Sequence, residues 1–243
     1  MTTVSLAPLD LAALLSSRIC HDVISPVGAI VNGLEVLEAE EDADMRSVAM
    51  DLIKKSAISA SARLQFCRLA FGAAGSLGAS VDTGDAENVV RGLFANDRTT
   101  LRWNLERRLA PKNVVKLLLN LCLIAAGAAP RGGIIAVDLG SEGEALAMKV
   151  EATGANVRLS HAAASFLSGA PIETIDAHSI QPYYAMLLAR ECGMMIKAAT
   201  GPDAVTLTAV PAGGGEAFAV PQASENAPTG QAETADLANP AVP

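Results

Sequence analysis

The residues best suited to chemistry in this 243-residue chain surround His21. Residues 17–30 read Ser-Arg-Ile-Cys-His-Asp-Val-Ile-Ser-Pro-Val-Gly-Ala-Ile. With an advance of about 100° per residue on a helix, the apolar stripe centres near Val23, Ile30 and Leu34, and His21 lies roughly 160° from that centre. A neutral imidazole on an exposed face is a nucleophile that can accept a phosphoryl group. Its neighbours on this face are small or polar: Ser17, Arg18, Ser25, Gly28 and Asn32.

Four neighbours of His21 are candidates for roles in such a reaction. Asp22 points about 100° away on the helix and could orient the ring or accept its proton. Arg18, one turn earlier, could contact phosphoryl oxygens. Ser25 and Gly28 are small enough to let a partner protein approach. The simpler alternative stays open, because many exposed histidines have no role and a surface arginine is often only solvated.

A helical hairpin must position these residues. Two apolar stripes at helical spacing are separated by the acidic, turn-prone residues 38–44. Pro26 lies inside the first helix and predicts a kink just past His21. A lone hairpin leaves much of its apolar face wet, so we expect a homodimer whose hairpins form a four-helix bundle. The stripes are Leu11, Leu15, Ile19, Val23, Val27, Ile30, Leu34 and Leu37, then Met45, Val48, Leu52, Ile53, Ile58, Leu64, Cys67 and Phe71.

The composition along the chain divides it into four zones. Residues 9–72 form the hairpin, the Gly-, Ala- and Ser-rich residues 73–84 a linker, residues 85–211 a second domain, and residues 212–243 a disordered tail. The order of helix-like and strand-like segments in the second domain predicts an α+β fold, with helices on one face of a mostly antiparallel sheet. Its predicted helices are 85–95, 111–128 and 180–193, and its predicted strands lie near 99–105, 133–139, 145–152, 194–199 and 204–210.

Charge and composition narrow the function classes. The net charge is −8 and no stretch is basic, which argues against binding to nucleic acid or to an anionic membrane. The N-terminus lacks the basic start of a secretory signal, and the most apolar stretch, 114–129, is shorter than the roughly 20 residues that span a bilayer. We therefore expect a cytoplasmic protein. The four scattered cysteines predict buried or half-buried thiols, and neither His161 nor His178 has metal-ligand spacing.

The run His21-Asp22-x-x-Ser25-Pro26 resembles the phosphoacceptor box of histidine kinases, which reads His-Asp/Glu-Leu-x-Ser/Thr-Pro-Leu. In both, the box lies in the first helix of a hairpin. A hairpin followed by an α+β sandwich also resembles the core of a histidine kinase. The resemblance implies an N-terminal helical hairpin followed by a histidine kinase ATPase-like α/β sandwich.

The nucleotide-binding motifs of such a sandwich are degenerate here. At the kinase N-box, Asn120 matches the first Asn, but Ile124 occupies the magnesium-binding position and offers no oxygen ligand. At the G1 box, Ala152 replaces the Asp that reads adenine. The place of the glycine-rich lid, residues 176–182, contains no glycine. We therefore expect no ATP binding and no cofactor.

A kinase-like architecture with a phosphoacceptor histidine and a degenerate nucleotide site resembles the ChpT family of histidine phosphotransferases, over about residues 9–210. The resemblance implies a homodimer that takes a phosphoryl group from the receiver domain of a hybrid histidine kinase. His21 would pass it to the receiver domains of response regulators, with magnesium supplied by the receiver. It also implies cell-cycle regulation in the bacterial cytoplasm. The second domain would be a docking surface, and Arg158 is a candidate contact there.

Two alternatives stay open at this point. An active histidine kinase would require ATP binding despite Ile124 and Ala152. A non-catalytic dimeric scaffold would use the second domain only for protein contacts and would carry no phosphoryl group on His21.

Overall fold

The computed structural model describes residues 5–72, 80–95, 98–142, 145–170, 174–177 and 179–212. The chain begins with a hairpin of two long helices, α1 (Pro8–Ala39) and α2 (Ala43–Ala70). Pro8 is the first residue of α1. A backbone N–H group at this position has no hydrogen-bond partner within the helix, so a proline, which lacks that group, is well tolerated there. The helix continues through Pro26 to Ala39. The predicted hairpin is confirmed, and the kink at Pro26 stays a prediction.

The turn between α1 and α2 is held by polar side chains. The carboxylate of Asp42 accepts hydrogen bonds from the backbone N–H groups of Asp44 and Met45 at 2.9 and 3.0 Å. These bonds cap the N-terminus of α2, which otherwise has unsatisfied donors. The guanidinium of Arg46 donates to the carbonyl oxygen of Glu40 at 2.9 Å. The acidic run that interrupts the apolar stripes therefore forms the turn itself.

Replacing Asp42 by Ala should lower the free energy of unfolding by about 1 kcal/mol, because two N–H groups lose their acceptor. Urea unfolding followed by circular dichroism measures the change. Glu41→Ala is the matched control, since this exposed side chain lies in the same turn, and its effect should stay within about 0.5 kcal/mol. An equal loss of stability in both variants would contradict the capping role of Asp42.

The rest of the described chain is a sandwich of helices and sheets. Its strands are β1 (Ser80–Asp82), β2 (Thr99–Trp103), β3 (Leu109–Pro111), β4 (Gly133–Glu142), β5 (Ala145–Thr153), β6 (Met194–Thr200) and β7 (Ala204–Pro211). Its helices are α3 (Thr83–Phe94), α4 (Lys112–Ala128), α5 (His161–Ser168) and α6 (Ile180–Glu191). β1 and β3 form a small antiparallel sheet. The larger sheet has the order β2-β4-β5-β7-β6, parallel between β2 and β4 and antiparallel elsewhere.

One face of the five-stranded sheet is covered by helices. Along β7, Val205, Leu207 and Ala209 are fully buried and alternate with half-buried residues. This alternation is the pattern of a sheet with one covered face. α4 supplies much of the cover, because Leu117 and Leu121 are fully buried and the helix contacts β5 and β7. The predicted α+β fold class is confirmed.

The sandwich is fastened to the end of the hairpin opposite its turn. At the end of α2, Phe66 and Ala70 belong to the same buried core as residues of α3 and α4. The side-chain amide of Asn120 in α4 donates to the carbonyl oxygen of Ala70 at 3.4 Å. At the start of α1, the N–H group of Leu6 donates to the hydroxyl of Tyr183 in α6 at 3.1 Å. These contacts fix where α1 begins relative to the second domain.

The structure corrects the predicted boundaries in several places. The sequence pattern did not predict β1, β3 or α5. Residues 80–84, which were assigned to the linker, form β1 and the start of α3, because Asp82 accepts from the N–H group of Gly84 at 2.7 Å and caps that helix. Linker residues 73–79 and tail residues 213–243 lie outside the described residues, so their predicted character stays a prediction.

Candidate functional site

His21 lies on the exposed side of α1. Its side chain is 63% exposed, and its Nδ1 atom lies 3.8 Å from Oδ1 of Asp22. The exposure predicted from the helical pattern is confirmed. An imidazole in this position can be approached by another protein and can attack an electrophile that the other protein presents.

Asp22 and Arg18 form an ion pair along α1. Nε of Arg18 donates to Oδ2 of Asp22 at 2.9 Å, and the two side chains are only 22% and 19% exposed. Their spacing of four residues places both on one side of the helix. The predicted neighbours His21, Asp22 and Arg18 therefore lie together in the structure. The guanidinium of Arg18, which was expected to contact phosphoryl oxygens, here binds the carboxylate of Asp22. The roles predicted for Asp22 and Arg18 in the reaction stay predictions.

Cys67 of α2 lies near this ion pair. Burial raises the pKa of the Cys67 thiol to about 11, the negative charge of Asp22 raises it further, and Arg18 and Arg63 oppose the rise. Asp22 is therefore close to α2, whereas His21 is on the solvent side. Reasoning from the sequence did not connect α2 with the site. Helical periodicity placed Cys67 on a buried stripe but could not show which residue of α1 it meets.

The surface around His21 is open at the two small residues expected there. Ser25 is exposed. A Cβ atom added to Gly28 would have nothing within 4 Å, so the packing of this chain does not require glycine at that position. Gly33 differs, because a Cβ atom there would lie 2.6 Å from Cγ1 of Ile53 in α2. Glycine thus permits close helix packing at Gly33 and leaves exposed space at Gly28.

A second, apolar surface of α1 is also exposed. Ile24 is 67% exposed, and Val27, Val31 and Leu34 are between 43% and 48% exposed. Their spacing of three and four residues places them on one stripe, which continues toward the N-terminus at Cys20, also exposed. Val27 and Leu34 were expected to be on the packed stripe and Cys20 to be at least half-buried, so these expectations are corrected. The apolar surface of α1 extends further around the helix than the part that α2 covers.

By length and composition alone, α1 could cross a membrane. Its most apolar 18-residue window has a mean hydropathy of 1.2, and none of that window is buried. The helix also carries the ion pair between Arg18 and Asp22, together with the exposed His21 on a different side from the apolar stripe. Such a division into polar and apolar sides is typical of an amphipathic helix that packs against other helices.

The residues at the positions that resemble the nucleotide motifs of kinases are buried in the second domain. Ile124 is almost fully buried and Ala152 is fully buried, so apolar groups occupy both positions. Asn120 is fully buried, and its amide donates to the carbonyl oxygen of Lys116 at 2.8 Å as well as to that of Ala70. In the part of the chain that the structure describes, no group donates to Oδ1 of Asn120. This asparagine joins α4 to the hairpin.

Arg158 and His161 lie on the second domain. Arg158 is exposed in the segment between β5 and α5, and its N–H group donates to the carbonyl oxygen of Ala128 at 2.9 Å. Exposed His161 begins α5, and His178 lies outside the described residues. Among the residues that the structure describes, no three His, Cys, Asp or Glu side chains are grouped to hold a metal ion. Among the described residues, no hydrogen bond or ion pair joins the side chain of Arg158 to the residues around His21.

The fold and the exposed His21 on its first helix are those of a phosphotransfer protein. A family model described as the histidine phosphotransferase C-terminal domain matches residues 83–204. The protein phosphotransferase ChpT of Brucella abortus (strain 2308) is 54% identical over 207 residues, which are 83% of this chain and 96% of that relative. The chain belongs to the ChpT family of histidine phosphotransferases.

A solved structure described as a bacterial phosphotransferase supports the same conclusion. It is 51% identical to this chain, with a TM-score of 0.77, over 85% of this chain and 98% of the solved chain. The match therefore includes both the hairpin and the second domain. The histidine phosphotransferase function expected from the resemblance is confirmed at the level of the family.

Proposed function

We propose that His21 is the phosphoacceptor of a bacterial phosphorelay. The phosphoryl group arrives from the receiver domain of a hybrid histidine kinase and leaves to the receiver domains of response regulators. The observation that carries the proposal is the 63% exposed imidazole of His21 beside the open surface at Gly28. A receiver domain needs that open surface, because its phosphorylated aspartate must come within bonding distance of the ring.

The transfer requires one bond to form and one to break. The neutral imidazole of His21 attacks phosphorus through Nε2, while Nδ1 keeps its proton on the side of Asp22, 3.8 Å away. The bond between phosphorus and the receiver aspartate breaks, and the aspartate leaves as a carboxylate. The receiver brings its own magnesium, which neutralises the charge on the phosphoryl oxygens. The share of this chain is to position the nucleophile.

We propose that Asp22 is a positioning residue for His21 and that Arg18 holds its carboxylate in place. Asp22→Asn keeps the shape of the side chain but removes its charge and weakens its bond to Arg18. The transfer rate constant should fall at least about tenfold, because the ring is less well oriented. Single-turnover transfer from a saturating phosphorylated receiver measures this constant.

Asp10→Asn is the matched control for this variant, since Asp10 is an exposed acid on the same helix, distant from the ion pair. Its transfer rate constant should equal that of the wild type. Both variants should bind the receiver with unchanged affinity. A rate constant for Asp22→Asn that matches the Asp10→Asn value would exclude the positioning role.

The second domain acts without ATP in this proposal. The supporting observation is that buried apolar side chains occupy the two positions, Ile124 and Ala152, where a kinase has a magnesium ligand and an adenine-reading carboxylate. We propose that the domain is a docking surface for receivers, with exposed Arg158 as one contact. A charged group on the rim of such a surface would mainly affect the rate of association.

We propose further that the protein is a cytoplasmic homodimer. The exposed apolar stripe on α1 and the exposed Met45, Val48 and Leu52 on α2 give each hairpin a surface that a second hairpin can cover. Burying apolar surface of this kind stabilises association by about 25 cal/mol per Å² before the entropic costs. A four-helix bundle would leave His21 on its outer side, because His21 is not on the stripe.

A phosphotransfer assay tests the proposal. The purified protein is incubated with the phosphorylated receiver domain of a hybrid kinase and, separately, with labelled ATP. We expect acid-labile label to arrive from the receiver and not from ATP. Label that arrives directly from ATP would show an active histidine kinase. No label from any of a panel of phosphorylated receivers would favour a non-catalytic scaffold.

A further inference from the structure

A second arginine, Arg63 of α2, lies between α1 and α2 near the ion pair of Arg18 and Asp22. Arg63 is half-buried and precedes the buried Cys67 by four residues, so the two side chains are on one side of α2. Burial raises the pKa of the Cys67 thiol, Asp22 raises it further, and the two arginines oppose the rise. The three charged groups therefore lie close to one point between the helices.

The packing of the two helices independently places Arg63 at the level of His21. A Cβ atom added to Gly33 of α1 would lie 2.6 Å from Cγ1 of Ile53 and 3.3 Å from the carbonyl oxygen of Ala49, so position 33 is level with about position 51 of α2. The helices of a hairpin run in opposite directions and have the same rise per residue. Moving back along α1 from position 33 to position 21 therefore corresponds to moving forward along α2 from position 51 to about position 63.

The charges of these three groups do not balance. Nε of Arg18 donates to Oδ2 of Asp22 at 2.9 Å, so the carboxylate of the group already has a partner. Within the described ranges no salt bridge involves Arg63, whose Nε atom donates to the hydroxyl of Ser59 at 3.4 Å, a long hydrogen bond. Two guanidinium groups and one carboxylate leave one positive charge in excess at the level of His21.

A phosphoryl group on His21 would change what these groups require. It carries about two negative charges, and it would be repelled by Asp22, whose Oδ1 atom lies 3.8 Å from Nδ1 of His21. Arg18, one turn before His21, is suited to bind phosphoryl oxygens. If Arg18 moved there, the carboxylate of Asp22, only 19% exposed, would lose its partner. A carboxylate that is largely removed from water is costly without a cation beside it.

We propose that Arg63 takes over the carboxylate of Asp22 when His21 is phosphorylated. Arg18 then turns to the phosphoryl oxygens, and each of the two guanidinium groups has an anion as its partner. The exchange needs only rotations of long side chains, because the charged groups are already close together. Arg63 acts through Asp22 and is therefore a positioning residue. The inference rests on the proposed function, in which His21 is the phosphoacceptor.

The equilibrium of transfer with a phosphorylated receiver domain tests the exchange. The ratio of phosphorylated His21 to phosphorylated receiver measures the stability of the phosphohistidine. Arg63→Gln should lower this ratio at least about fivefold, because Asp22 loses its partner in the phosphorylated state. Arg63→Lys keeps a cation and should restore part of the ratio. The urea midpoint of the unphosphorylated protein should be the same in all variants, since Arg18 holds Asp22 in that state.

Arg68→Gln is the matched control. Arg68 is an exposed arginine of α2, and five residues place it about 140° around the helix from Arg63. The change removes the same charge from the same helix. The ratio for Arg68→Gln should equal that of the wild type, so an equal fall in both variants would show a general effect of charge and overturn the proposal.

A double-mutant cycle shows whether Arg63 acts through Asp22. In Asp22→Asn the carboxylate is gone, so adding Arg63→Gln should change the ratio by less than about twofold. A full fivefold fall in the Asp22→Asn protein would mean that Arg63 acts on the phosphoryl group or on the receiver directly, and it would overturn the proposal. An unchanged ratio in Arg63→Gln alone would also overturn it while leaving His21 as the phosphoacceptor. No label on His21 from any receiver would overturn the proposed function, and this inference with it.

Discussion

The His21→Ala protein should accept no phosphoryl group from a phosphorylated receiver domain. The change removes the nucleophile, and no other group at the site can replace it by a small movement, because Asp22 is held by Arg18 at 2.9 Å. Loss of a nucleophile commonly lowers a rate by about 10³-fold or more, so transfer should fall below detection.

The fold of this variant should be unaffected. His21 is 63% exposed and lies on the solvent side of α1, so the free energy of unfolding should change by no more than about 0.5 kcal/mol. Acid-labile label on the protein after incubation with the receiver measures transfer, and circular dichroism with urea measures stability. His161→Ala is the matched control, because His161 is also an exposed histidine at a helix, in the second domain. Transfer to a stably folded His21→Ala protein would show that the phosphoacceptor is another residue.

The exposure of His21 could be predicted from the sequence. On a long helix, the side on which a residue lies follows from its place in the 3.6-residue repeat of apolar residues. α1 has 32 residues, so its apolar positions define the apolar side of the helix over many turns. The same pattern could not separate two apolar surfaces. Val27 and Leu34 belong to the predicted stripe but are exposed, since α2 covers only part of the arc. A periodic pattern gives the direction of apolar surface and not the neighbour that covers it.

Two of the longer elements of the second domain were predicted closely, whereas β4, the longest described strand, extends to Glu142 and not to 139. β7 and α4 differ from the predicted ranges by one residue at one end. β1 and β3 have three residues each, too few to show alternation, and they pair only with each other in the described sheets. α5 could have been predicted, because Ser160 caps its start and Gly169 ends it with a φ of 72°.

Asn120 shows the limit of reading a motif without its surroundings. Its match to the kinase N-box suggested a relic of a nucleotide site. In the structure its amide bonds to the carbonyl oxygens of Lys116 and Ala70 and fastens α4 to the end of α2. Residues 50 positions apart in the sequence make this contact. Such a partnership depends on the packing of whole helices and has no local signal.

Replacing Val31 by Glu should convert the proposed dimer into a monomer. Val31 lies in the middle of the exposed stripe of α1, so the charge is solvated in a separate protomer and the fold should be preserved. In a four-helix bundle the two carboxylates would be buried in an apolar interface, which is costly without a partner charge. The dimer dissociation constant should rise at least about a hundredfold. Size-exclusion chromatography with light scattering measures the molar mass.

Asn32→Glu is the matched control for this change. Asn32 is the next residue, is exposed, and lies on the side of α1 that carries His21 rather than on the apolar stripe. It introduces the same charge in the same turn of the helix, so a general effect of charge on α1 would appear in both variants. The Asn32→Glu protein should stay a dimer. Dissociation in both variants would mean that the stripe is not the interface.

Cys20 gives an independent measure of which surface the dimer covers. It is exposed in the protomer and precedes Ile24 by one turn on the same stripe, so a bundle that uses the stripe should bury it. At pH 8 the other thiols react slowly, because burial raises the pKa of Cys67 and Cys192 to about 11 and that of Cys122 to about 12. A thiol reagent should therefore label Cys20 quickly in Val31→Glu and slowly in the wild type. Fast labelling in a wild-type protein that is still a dimer would place the interface on another surface, away from α1.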